Sequence, residues 1–91
     1  MSETNPAANE LQITFSSFLI SLGRTALEHL GDTDETRARA DLLLARQTID
    51  LLSLLQDKTK GNLDAEEQKL LESMLYELRV RYTRRAPESK A

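Results

Sequence analysis

Apolar residues recur along the chain at the three- and four-residue spacing of α helices, in three segments separated by two short polar linkers. This pattern predicts helices over about 12–30, 36–60 and 64–84, within one domain that spans 12–85. Gly31 and Gly61 follow the first two segments, where glycine can adopt the left-handed conformation of a helix cap. Asp64 and Glu67 have the spacing of a capping box at the start of the third. We therefore expect an all-α fold, a three-helix antiparallel hairpin or bundle.

Both ends of the chain are polar and are expected to be disordered tails, over residues 1–11 and 86–91. A proline at each end, Pro6 and Pro87, disfavours helix in the residue before it. The first tail has neither the basic nor the apolar region of a signal peptide, and no apolar stretch approaches the roughly 20 residues that span a bilayer. The expected location is cytoplasmic, without membrane association.

The first two predicted helices carry more apolar residues than one buried face can hold. The second has leucines around most of its circumference, and the first has a second apolar row that repeats every seven residues. Two neighbouring helices cannot enclose a third from every side, so we expect homodimerisation to complete the bundle. The alternative is a tight monomer whose loops cover the extra leucines. The predicted oligomer interface consists of Ile13, Ile20, Leu27, Leu44, Leu51 and Leu55.

Composition and motifs argue against most kinds of catalysis. The 91 residues include no cysteine, which excludes disulfides, thiolate zinc sites and a thiol nucleophile. The three glycines stand too far apart for a phosphate-binding loop. His29 is the single histidine, so neither a di-iron motif nor a serine hydrolase is supported, and we interpret it as a cap or surface residue. We expect no enzyme activity, cofactor or metal.

Two polar features remain. The first is a possible buried polar network that fixes helix register, formed by Gln47, Thr48, Asp50 and Arg79; an anion pocket of Arg46, Gln47 and Arg79 is the functional alternative. The second is a basic cluster near the end of the third helix, formed by Arg79, Arg81, Arg84 and Arg85. The net charge of −3 argues against general attraction to nucleic acid, and arginine is favoured at a helix C-terminus in any case.

Several sequence strings are similar to a known family. The strings Ala-Arg-Gln-Thr-Ile-Asp-Leu-Leu at 45–52 and Lys-Thr-Lys-Gly-Asn-Leu at 58–63 are the most specific. Together with 15–22 and 75–79, they make residues 14–83 resemble the bacterial domain of unknown function family 1844. The linker after Gly31 lacks the proline-containing turn expected from that resemblance. The resemblance implies a bacterial, cytoplasmic helical protein and brings no catalytic residues with it.

These observations favour a non-enzymatic, homo-oligomeric interaction or scaffold module that binds a protein partner. The alternative function is binding of nucleic acid or another anion through the C-terminal arginines. The two differ in the surface they use: the leucines of the first two helices, or the basic end of the third.

Overall fold

The structure, a computed structural model, describes residues 13–90, with the side chains of 13–86. This part of the chain forms α1 (Phe15–Leu30), α2 (Leu42–Lys58) and α3 (Ala65–Lys90) and contains no strand. Each helix packs against both of the others. The prediction of an all-α, three-helix fold is therefore confirmed. The predicted tail at 1–11 lies outside the described residues.

The hydrophobic core lies where the three helices meet, and each helix contributes side chains from one face. Its members are no more than 5% exposed, and Leu19, Leu30, Leu52, Leu71 and Leu75 are the largest that are fully buried. The remaining members are Ala26, Ala45, Ile49 and Leu78. The small residues at two of these positions allow α1 and α2 to approach closely. This core includes residues from only one face of α2, so several leucines on the other faces of this helix are exposed to solvent.

The α1 helix has a hydrogen-bonded cap at each end. The Thr14 hydroxyl accepts from the Ser17 backbone N–H, and the Ser17 hydroxyl accepts from the Thr14 backbone N–H, at 3.0 and 2.9 Å. At the other end Gly31 has φ 61° and donates its N–H to the Leu27 carbonyl. This is the left-handed cap that the sequence predicted, and it turns the chain toward α2.

The α2 helix begins later than predicted. Residues 36–41 precede the helix and are not part of it. The Thr33 and Thr36 hydroxyls bond to each other at 2.7 Å and stabilise a local turn, which leads into a 3-10 segment, Arg37–Arg39. The Asp41 backbone N–H then donates to the His29 carbonyl at 2.7 Å, which brings the chain back to α1. The Asp41 side chain caps α2 by accepting from the Leu44 N–H. The predicted start near residue 36 is therefore wrong.

The α3 helix begins as predicted and ends later. Asp64 and Glu67 form the expected capping box, with bonds of 2.8 and 2.9 Å. The helix continues to Lys90 instead of ending near 84, so it extends into the segment 86–91 that was expected to be a tail. Pro87 removes one N–H donor from the helix without ending it. Just before it, the half-buried Arg85 donates from Nε to the Leu30 carbonyl at 2.9 Å, which fixes this part of α3 against the end of α1.

Candidate interaction surface

One side of α2 presents large apolar side chains to solvent. The exposed fractions are 67% for Leu43, 40% for Leu44, and 50% for both Leu51 and Leu54. At about 100° per residue, these four side chains and that of Gln47 fall within an arc of roughly 100°. The arc faces away from the core residues of the same helix. We call this surface, made of Leu43, Leu44, Gln47, Leu51 and Leu54, the α2 leucine face.

The structure divides the predicted interface residues between different surfaces. Leu44 and Leu51 belong to the α2 leucine face. Leu55 lies beside that face but is half-buried and packs against the core. Ile13 precedes the cap of α1 and is 87% exposed. The six residues therefore do not form one continuous patch within a single chain.

Ile20 and Leu27 lie away from the α2 leucine face, in a shallow groove between α1 and α3. Leu70, Met74 and Leu78 of α3 line the same groove. Gly23 forms part of its floor, since a Cβ there would lie 3.0 Å from the Met74 sulfur. Arg24, Glu77 and Arg81 also line the groove, but most of its exposed surface is apolar.

The arginine cluster is also divided. Arg79 lines a depression between α2 and α3 and donates to the Ser53 hydroxyl at 3.2 Å. Arg81, Arg84 and Arg85 point to another depression, shared with Asp32 and Arg37. The predicted set of four is therefore divided, because Arg79 lies apart from the other three; Arg37 takes its place, so four arginines line this depression beside Asp32.

Two of these arginines connect α3 to the end of α1. Arg81 forms ion pairs with Asp32 at 2.9 Å and with Glu77 at 2.8 Å. The hydrogen bond to the Glu77 carboxylate, followed by the contact with Asp32, raises the pKa of Arg81, while partial burial opposes the rise. Arg85 donates to the Leu30 carbonyl, at the negative end of the α1 dipole. Their positive charges thus have intramolecular partners.

The predicted buried polar network is not assembled. Thr48 is buried, and its hydroxyl donates to the Leu44 carbonyl within its own helix at 3.0 Å. Gln47 and Asp50 are exposed, and Asp50 lies 4.0 Å from Arg46 in a solvent-exposed ion pair. Arg79 bonds to Ser53 instead of these residues. The prediction is wrong because Gln47 and Asp50 lie on the side of α2 that faces away from the core; the alternative pocket of Arg46, Gln47 and Arg79 is not formed either.

The side chains considered for catalysis do not converge. His29 is half-buried in the last turn of α1, where its backbone carbonyl accepts from Asp41. Across the residues that the structure describes, no three His, Asp or Glu side chains are grouped as a metal site would require. Likewise, no helix within 13–90 has the length and apolar character needed to cross a membrane.

Leu43 and Leu54 are the surface residues that the sequence-based interface omitted. Both are at least half exposed, and they widen the row formed by Leu44 and Leu51. The signal was present in the seven-residue spacing from Leu44 to Leu51, together with the three-residue spacing from Leu51 to Leu54. Such alternating spacing marks one helix face that is available to another helix.

The comparisons with known proteins support one assignment. Searches of curated proteins and of solved structures found no match. A family model described as a domain of unknown function matches residues 12–84, which include all of α1 and α2, the linkers and most of α3. The match covers the capped bundle, its core and the α2 leucine face. The chain therefore belongs to the domain of unknown function family 1844.

Proposed function

We propose that this chain is a non-enzymatic interaction module that forms a homodimer through the α2 leucine face. The observation that carries the proposal is the alignment of four exposed leucines on the side of α2 that the core does not use. Added together, the exposed fractions of these four leucines correspond to about two fully exposed leucine side chains per copy. Covering it with the same face of a second copy removes apolar surface from both subunits at once.

The charges around the face are compatible with self-association. Arg46 and Asp50 lie along one edge and carry opposite signs. Two copies that meet along this edge therefore bring together equal numbers of positive and negative charges. The whole chain carries a net charge of only −3, so long-range repulsion between copies is small.

Leu51→Asp tests the proposed interface. The lost burial alone, half a leucine in each of two subunits, amounts to about 1.5–3 kcal/mol per dimer, or roughly a 10- to 100-fold rise in Kd. Desolvation of two carboxylates adds to the loss. The measurement is the mass of each variant by light scattering after size exclusion, over a range of micromolar concentrations.

Tyr76→Asp is the matched control. Tyr76 is 71% exposed on α3, outside the α2 leucine face, so the same loss of an exposed apolar side chain leaves the dimer intact. Equal masses for wild type and Leu51→Asp would refute the proposed interface. Equal dissociation by both variants would show that the effect of Leu51→Asp is not specific to this face.

Binding of nucleic acid through the arginine cluster is a weaker candidate. Arg81 and Arg85 already donate to Asp32 and to the Leu30 carbonyl, so binding a phosphate would compete with contacts that join α3 to α1. Arg79 lies on another side of α3. We expect a titration with RNA or DNA at low salt to show no saturable complex; a complex that weakens steeply with salt and is lost on Arg84→Ala would favour the alternative.

A further inference from the structure

Gln47 lies in the middle of the α2 leucine face. Along the helix, it follows Leu43 and Leu44 by three or four residues and precedes Leu51 by four. Around the helix, it lies near the centre of the arc that these leucines define. Its side chain is exposed. A dimer that covers this face therefore also covers an amide.

A buried amide needs hydrogen-bond partners, because leaving its donors and acceptor unsatisfied costs about 1–3 kcal/mol. The leucines around Gln47 offer none. A second Gln47 offers both, since each primary amide carries a carbonyl acceptor and N–H donors. The two amides meet when the two-fold axis of the dimer passes beside this residue.

We infer that two copies pair α2 against α2 in antiparallel orientation, with the two-fold axis beside Gln47 and the two Gln47 amides bonded to each other. This inference rests on the proposed homodimer and adds its orientation and register. Leu43 of one copy then faces Leu51 of the other, because these residues lie four positions on either side of the axis. The polar pair specifies the register, as a single polar residue does in a helical interface.

The charged edge of α2 favours the antiparallel orientation over the parallel one. In antiparallel pairing the edge that carries Arg46 and Asp50 meets its own copy. Arg46 then lies about 3 Å along the helix axis from the second copy's Asp50 and about 3 Å from its Arg46, while the two Asp50 residues are about 9 Å apart, so two close attractive pairs outweigh one close repulsive pair. Parallel pairing would set this edge against the opposite edge of the other helix, where half-buried Leu55 packs toward the core. Antiparallel helices also oppose their dipoles favourably.

Cysteine cross-linking tests the register in the full chain, which contains no cysteine of its own. Two residues at the axis of helices packed about 8–10 Å apart fall within the roughly 4.4–6.8 Å Cα separation of a disulfide. Gln47→Cys therefore cross-links on mild oxidation. The two copies of Leu51 are separated by about 12 Å along the axis, so Leu51→Cys alone does not.

A mixture of chains provides the positive control for orientation. Leu43→Cys chains mixed with Leu51→Cys chains cross-link to each other, with a yield at least about tenfold above that of Leu51→Cys alone. These positions are at least half exposed, so the substitutions leave the core unchanged. Parallel pairing gives the reverse pattern, in which Leu51→Cys alone cross-links and the mixture does not.

The failure of this inference is distinguishable from the failure of the proposed function. A wild-type dimer in light scattering, together with cross-linking of Leu51→Cys alone, would overturn the antiparallel register and leave the homodimer standing. Absence of cross-linking by Gln47→Cys in such a dimer would overturn the position of the axis. A wild-type monomer would remove both proposals.

Discussion

Gly31→Ala tests how the turn after α1 positions α2. Gly31 has φ 61°, and a Cβ added there would overlap the Cβ of Ala40 and lie 3.0 Å from its Cα. A left-handed conformation costs a residue with a side chain about 1–2 kcal/mol. Crowding at a packed site adds about 1–3 kcal/mol. We therefore expect a total loss of about 2–5 kcal/mol in the free energy of unfolding.

Two further variants separate these contributions. Gly61 also has positive φ, 86°, but nothing lies within 4 Å of a Cβ added there, so Gly61→Ala measures the conformational cost alone, about 1–2 kcal/mol. Ala40→Gly, combined with Gly31→Ala, removes the nearest clashing atom. A double-mutant cycle should therefore show a favourable coupling between positions 31 and 40 of about 1 kcal/mol or more.

The assay is urea denaturation followed by far-UV circular dichroism, with all variants at one protein concentration because the proposed dimer makes the measured stability depend on concentration. Equal destabilisation by Gly31→Ala and Gly61→Ala would contradict the close approach of Gly31 and Ala40. The absence of coupling in the cycle would contradict it independently. Either result would mean that the linker between α1 and α2 takes a different path.

Two other predictions concern contacts that hold the bundle together. Asp64→Ala removes the carboxylate that accepts from the Glu67 backbone N–H and should lower the free energy of unfolding by about 1 kcal/mol, whereas Asp64→Ser keeps an acceptor oxygen and should lose much less; equal losses in urea denaturation would contradict the capping role. Asp32→Asn removes one ion pair of half-buried Arg81 and should cost about 0.5–1 kcal/mol, less in high salt; a salt-independent loss would contradict an electrostatic contribution.

The periodicity of the chain was sufficient to predict the three helices, because their buried faces follow the three- and four-residue spacing without interruption. Cap residues with a local mechanism were also predictable: Gly31 and the pair Asp64 and Glu67 act within a few residues of their own positions. These features depend on short-range geometry, which the sequence expresses directly.

Features that depend on distant contacts were not predictable in the same way. The start of α2 is determined by the Thr33 and Thr36 hydroxyls and by the bond from Asp41 to the His29 carbonyl, which exists only once the linker returns to α1. Arg85 was expected at the end of its own helix. It instead donates to Leu30, 55 residues earlier in the chain.

The candidate site was predicted in part. The surplus of apolar residues on α2 was evident from the sequence, but the seven-residue repeats could not show which flank of each helix faces a neighbour. Ile20 and Leu27 therefore entered the same predicted interface as Leu44 and Leu51, although they line a different groove. Gln47 was assigned to a buried network because its neighbours are leucines, and the structure exposes those neighbours as well.

The central claim is that the α2 leucine face is covered by a second copy of the chain. Sedimentation equilibrium of the wild-type protein tests it most directly, because it measures mass without assuming a shape. The account predicts a mass that approaches twice 10.3 kDa as the concentration rises through the micromolar range, with Leu51→Asp remaining near 10.3 kDa. A wild-type mass of 10.3 kDa throughout that range would contradict it.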